Sequence, residues 1–134
     1  MPYARISLHR GAAPDYLRAL SASVYQAMHE AFDVPAGDCF QVIHQHDPGE
    51  LVFDRHYLGG PRSDAFVLIA ITAGRPRSDA CKQAFYRRLV ELLAIAPGIA
   101  PEDVMVNIVT TEAQDWSFGG GRAGIAAAAA ETDA

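Results

Sequence analysis

Position 2 of the chain is proline, directly after the initiator methionine. Methionine aminopeptidases trim Met1 when the next residue is small, and Pro2 would then present a free secondary amine, which no other unmodified residue supplies. Such an amine can serve as general base, general acid or iminium-forming nucleophile. A second pattern with chemical content is Arg75-Pro76-Arg77. Each guanidinium offers a planar fork that fits a carboxylate, and the intervening proline stiffens the turn that carries the two arginines. A third is His44-Gln45-His46, two imidazoles on one face of a strand, which is a candidate metal pair without a third ligand at convincing spacing. Each pattern also has a plainer reading. Pro2 alone can simply stiffen a terminus, an Arg-x-Arg turn can be solvated surface, and the histidines can be rim or surface contacts.

Composition narrows the chemistry. With 134 residues, half of them hydrophobic, the chain suffices for one core and is short for two. One domain over residues 1–125 is expected, followed by a low-complexity, alanine-rich tail over 126–134. The formal net charge is -5, and the eleven Lys and Arg residues are scattered, which argues against nucleic acid or an anionic membrane as partner. No apolar run approaches the roughly 18 residues needed to cross a bilayer, and no leader-like apolar segment opens the chain, so a cytoplasmic protein is expected. Cys39 and Cys81 have neither metal-type spacing nor a disulfide framework and read as reduced thiols, one at a strand and one in a helix. Gly119-Gly120-Gly121 lacks the strand-to-helix context of a phosphate loop, and no Gly-x-Ser-x-Gly elbow is present. No cofactor and no metal are expected.

The elements that must position Pro2 and the arginines follow from periodicity. A strand runs from Pro2 through Leu8. Pro14-Asp15 opens a helix whose apolar residues Leu17, Leu20, Val24, Ala27, Met28 and Ala31 recur at three- and four-residue steps, ending near Phe32. Cys39 to Ile43 is strand-like. Leu51 to Leu58, bracketed by Asp47-Pro48-Gly49 and Gly59-Gly60-Pro61, can form a hairpin or flap. Ala65 to Ile71 is continuously apolar, as in a central strand or one covered on both faces. Ser78 or Asp79 caps a second helix, with Ala84, Phe85, Leu89, Leu92 and Leu93 as its buried stripe and Pro97-Gly98 as its stop. Val104 to Val109 is the last strand. The two strand-helix-strand halves, about 2–60 and 61–125, echo each other: Val34-Pro35-Ala36-Gly37-Asp38 precedes strand two much as Ile99-Ala100-Pro101-Glu102-Asp103 precedes strand four. The predicted class is α+β, a β-α-β-β-α-β pseudo-twofold with one four-stranded mixed sheet and both helices on one face. The uncovered face calls for a partner copy.

A duplicated β-α-β unit starting at Pro2, with Asp38 in Pro35-Ala36-Gly37-Asp38, Arg75-Pro76-Arg77 at a strand exit and Asp115-Trp116-Ser117-Phe118-Gly119 after the last strand, resembles the tautomerase superfamily. Within it, these segments are similar to malonate semialdehyde decarboxylase and its close relatives from Pro2 to about Ile125. The resemblance implies a homotrimer with an amino-terminal proline in a pocket of each subunit. It also implies that Pro2, Asp38, Arg75 and Arg77 are the catalytic and carboxylate-binding groups, and that Trp116 and Phe118 belong to an apolar wall. Without that register Asp38 would read as a loop residue and the two aromatics as core. With it, the Asp38 carboxylate can activate a water or hold the proline ammonium, and the nearby arginines oppose that protonation. A neutral proline suits proton abstraction, and a protonated one suits carbonyl polarisation. The implied activity is cofactor-independent decarboxylation of a small 3-oxo acid. The alternatives are tautomerisation of a phenylpyruvate-like acid, hydration or dehalogenation of a 3-substituted acrylic acid, or a non-enzymatic binding domain on the same fold.

Overall fold

Two parallel strand pairs meet edge to edge in a computed structural model that describes residues 2–124; Met1 and the alanine-rich tail lie outside the described residues. The first half comprises β1 (Pro2–His9), α1 (Pro14–Phe32) and β2 (Gln41–His46), and the second β3 (Val67–Ala73), α2 (Asp79–Ile95) and β4 (Val104–Thr110). The sheet order is β2-β1-β3-β4. β1 runs parallel to β2, β3 parallel to β4, and β1 antiparallel to β3. Both parallel pairs share one chain offset, Ala4 opposite Gln41 and Val67 opposite Val104, which is the internal duplication expressed as register. This is the α+β arrangement expected from the sequence.

Local chemistry sets the helix bounds. Proline at the start of α1 has no N–H to leave unsatisfied in the first turn, and Ala13 before it supplies no side-chain cap. At the other end Asp33 turns left-handed at φ 54°, and its N–H bonds back to the Met28 carbonyl. Ser78 caps α2 by accepting from the Cys81 N–H at 3.1 Å. Alternation then builds the core: Ala4, Ile6 and Leu8 of β1 and Val67, Ile69 and Ile71 of β3 point under the helices, against Leu20, Val24, Ala27 and Met28 of α1 and Phe85, Leu89 and Leu93 of α2. Each such large apolar side chain contributes roughly 1.5–3 kcal/mol on burial. Buried Asp103, before β4, accepts from the N–H and hydroxyl of Ser63 at 2.6 Å each, tying the loop ahead of β3 to the start of β4. Burial and, secondarily, the Asp103 charge push the Tyr16 phenol above its ordinary range.

Four expectations change. β2 begins at Gln41, not Cys39, and continues to His46, because pairing with β1 extends as far as His9 opposite His46. As an edge strand with no fully buried residue, β2 lacks the alternation that marks β1. β3 is shifted to Val67–Ala73 and alternates buried with half-buried positions, so one face meets the helices and the other does not. Leu51 to Leu58 contains no strand. There the Asp54 carboxylate accepts from the N–H groups of His56 and Tyr57, closing a local turn in place of a ladder, and Phe53 stacks on Phe66 at 4.1 Å. Ala84 is exposed, since α2 turns Phe85 inward and Ala84 sits off the i, i+4, i+8 stripe of Phe85, Leu89 and Leu93.

Candidate active site

The exit of β3, the C-terminus of α1 and the loop leading into β2 converge at one end of the sheet. Register puts Pro2 opposite Ala73 across the antiparallel β1–β3 pair, one residue before Gly74 and two before Arg75. On the other flank the Ala4 N–H bonds to the Phe40 carbonyl at 3.0 Å, so the chain from Asp38 to Phe40 runs alongside the start of β1. A cleft of about 220 Å³ opens here, lined by Asp33, Val34, Pro35, Asp38, Gly74, Arg75 and Arg77. The fold therefore brings Asp38, Arg75 and Arg77 to one cavity. Pro2, itself buried, lies at the strand start beside it and is not among the lining residues.

Both guanidinium groups are drawn to the last carbonyl of α1. Arg75 Nη2 and Arg77 Nη2 each donate to the Phe32 carbonyl oxygen at 3.3 Å, where the helix dipole presents its negative end. Arg77 Nη1 donates further to the Arg75 carbonyl at 3.1 Å, and its guanidinium carbon lies 4.7 Å from the centre of the Phe32 ring. Burial, followed by the positive charge of Arg75, lowers the Arg77 pKa from its ordinary value, opposed by Cys81, Asp33 and Asp38. Two guanidinium groups and the carboxyl groups of Asp33 and Asp38 thus line one small cleft.

Trp116 and Phe118 do not line this cleft, yet they are tied to the Pro2 end of the sheet. The Trp116 indole N–H donates to the Thr111 hydroxyl at 2.7 Å. That hydroxyl donates to the Ala73 carbonyl at 3.0 Å, and the Thr111 N–H reaches the same oxygen at 2.8 Å. Trp116 and Phe118 stack with ring centres 5.5 Å apart and planes 6° from parallel. A short polar chain thus fixes the stacked pair to the residue that faces Pro2.

The sequence and the fold that carry this site match known proteins. A family model described as tautomerase enzyme matches residues 38–119, and a second with the same description matches residues 2–60. The Bacillus subtilis (strain 168) protein named "Probable tautomerase YusQ" is 36% identical over 92% of this chain and 97% of its own length. The chain belongs to the tautomerase family. Among solved structures, malonate semialdehyde decarboxylase in wild-type, mutant and inactivated forms superposes with TM-score 0.87 at 38% identity, covering 98% of each chain. A malonate semialdehyde decarboxylase designated FG41, inhibited by 3-bromopropiolate, superposes with TM-score 0.85 at 30% identity over 98% of this chain and 97% of that one.

Within this tautomerase several charged or titratable residues lie apart from the cleft. Arg88 bridges Glu30 of α1 and Glu91 at the surface, and the Glu30 carboxylate beside it holds the Arg88 pKa above its ordinary value. Arg62 donates to the Asp54 carbonyl. His44 accepts from Arg5 Nε at 3.3 Å and stacks near His46 with ring centres 6.3 Å apart. Among the described residues no group of three or more His, Cys, Asp or Glu side chains is placed to hold a metal ion. No helix among them is long and apolar enough to cross a membrane. Sequence reasoning missed Asp33, Phe32 and Thr111. Phe32 was read as the helix end, and the Asp33-Val34-Pro35 break just after it was the available signal that this end is a turn with exposed polar groups.

Proposed function

We propose that this tautomerase decarboxylates malonate semialdehyde (3-oxopropanoate) or a similar small oxo acid, using the free amine of Pro2 and no cofactor. The observation that carries the reading is the pair Arg75 and Arg77 converging, with Asp38, on a small cleft beside the strand that begins at Pro2. Decarboxylation of a 3-oxo acid releases the electron pair of the C1–C2 bond as carbon dioxide departs, and the C3 carbonyl must take it up. The arginines hold the carboxylate so that the breaking bond aligns with the carbonyl π-system. Protonated Pro2 can hydrogen-bond the carbonyl oxygen, giving an enolate-like product that is then protonated at C2. Neutral Pro2 can instead attack C3 and expel water to form an iminium, which accepts the electron pair as an enamine. Protonation and hydrolysis then return the free amine. Asp38 activates water or holds the ammonium, and Trp116 with Phe118, outside the cleft but tied through Thr111 to Ala73 opposite Pro2, shields the Pro2 side of the site from water.

Side-by-side assays with malonate semialdehyde, phenylpyruvate and a 3-haloacrylate test the substrate class. Turnover is expected to be fastest with malonate semialdehyde. Faster enolisation of phenylpyruvate would instead favour the tautomerase reading, which the relative named as a tautomerase supports. Failure with all three would favour a binding domain.

The proposal includes a homotrimer. Val104, Val106 and Ile108 pack against the core, so the alternate positions Met105 and Val109 of β4 face away from the helices, as does Val42 of β2, and all three are exposed. Covering that face with further copies removes apolar surface from water. Light scattering at micromolar protein is expected to give three times the 14.4 kDa chain mass. A monodisperse monomer would count decisively against the assembly.

A further inference from the structure

We propose that Phe32 is a positioning residue for the carboxylate-binding arginines, its ring forming the floor on which Arg77 lies and its carbonyl the anchor shared by Arg75 and Arg77. The inference rests on the carboxylate-clamp reading above. Phe32 is the last residue of α1 and is 1% exposed, so by sequence and burial alone it is one more core aromatic. Four contacts set it apart. Its ring is stacked between the Phe85 ring, at 4.4 Å and 22°, and the Arg77 guanidinium, whose central carbon is 4.7 Å from the ring centre. Its carbonyl accepts from both arginines at 3.3 Å.

The reason a floor is needed lies in the rest of the Arg77 environment. Among the described residues its Nε is buried with no hydrogen-bond partner, and its recorded hydrogen bonds go to the main-chain carbonyls of Arg75 and Phe32. Among the described residues no carboxylate is recorded as a hydrogen-bond or ion-pair partner that would fix the guanidinium plane; Asp33 and Asp38 act on it through their charge. A flat aromatic face restricts that plane to one orientation through the attraction of a cation to the ring's negative face. The left-handed turn at Asp33, φ 54°, ends α1 at Phe32 and leaves its carbonyl outside the helical ladder, open to the arginines.

Titration calorimetry on the full chain with malonate, a simple dicarboxylate probe, separates positioning from general core packing. Arg77→Ala is the reference for loss of the clamp. Phe32→Leu is expected to weaken malonate binding by on the order of tenfold, whereas Phe85→Leu, which removes a core aromatic without touching Arg77, changes it by less than about threefold for a similar fall in thermal midpoint. In the Arg77→Ala background, Phe32→Leu should add nothing further, because its effect is transmitted through Arg77. Unchanged malonate binding in Arg77→Ala would overturn the clamp reading itself. Weakened binding in Arg77→Ala with wild-type binding in Phe32→Leu, or an undiminished Phe32→Leu loss in the double variant, would overturn the role of Phe32 alone. Should Phe32→Leu not fold, Arg77→Lys serves in its place. The ammonium keeps the charge but cannot lie flat on the ring, so binding near that of Arg77→Ala supports the proposal and wild-type binding overturns it.

Discussion

Protein that retains Met1 is expected to lose decarboxylase activity by on the order of a thousandfold or more relative to protein beginning at Pro2. The reason is covalent. With Met1 in place the Pro2 nitrogen is part of a tertiary amide, which neither condenses with an aldehyde nor gains or loses a proton near neutral pH. Intact mass spectrometry defines the two samples, and the rate of carbon dioxide release compares them. Two finer outcomes separate the chemical roles of the amine. Under the iminium route, borohydride added during turnover traps an adduct on the amino-terminal peptide, and Pro2→Ala keeps part of the activity because a primary amine also condenses. Under the proton-donor route no specific trapping occurs, and the rate falls as rising pH removes the proton from the amine. Full activity in the Met1-retaining protein would remove Pro2 from the mechanism altogether.

Arg75→Ala and Arg77→Ala are each expected to cost about 2 kcal/mol or more in transition-state stabilisation, roughly a 30-fold fall in kcat/KM. Under the proposed function each guanidinium supplies charge-assisted contacts to the substrate carboxylate, and the half-buried setting of Arg77 makes its contact stronger than one at an exposed surface. Arg88→Ala is the control. Its ion pairs with Glu30 and Glu91 lie at the surface between and along the helices, away from the cleft, so kcat/KM should stay near the wild-type value. Small and equal effects at all three arginines would dismiss the clamp.

Much of the fold is written in local periodicity. Leu20, Val24, Ala27 and Met28 recur at helical steps, and Ala4, Ile6 and Leu8 at strand steps, because burial against one neighbouring layer imposes those spacings on any chain. Punctuation was equally legible: Pro14, the Val34-Pro35 break and Ser78 act within one turn of the backbone they terminate or cap. The duplication and the chemistry available to Pro2 and to Arg75-Pro76-Arg77 also follow from residue type and order alone. Where a segment's conformation depended on contacts distant in sequence, periodicity was silent. β2 takes its bounds from pairing with β1, and the Leu51 to Leu58 segment is held down by Phe53 stacking on Phe66.

The cleft is a tertiary creation. Asp38 and Arg75 lie far apart in the chain and meet because the crossover through α1 and the antiparallel β1–β3 pairing bring the entry to β2 and the exit of β3 to the same end of the sheet. Phe32 makes the same point within one residue. Its side chain reads as helix stripe, and only the packed structure turns one face of its ring and its free carbonyl toward two arginines from the other half of the molecule. Sequence by itself determined which groups could do chemistry and which elements would carry them, since both depend on residue type and short-range spacing. Tertiary structure alone decided which of those groups share a cavity and what holds them there, since those relations come from long-range pairing and from which surfaces are left to face each other once the core is buried.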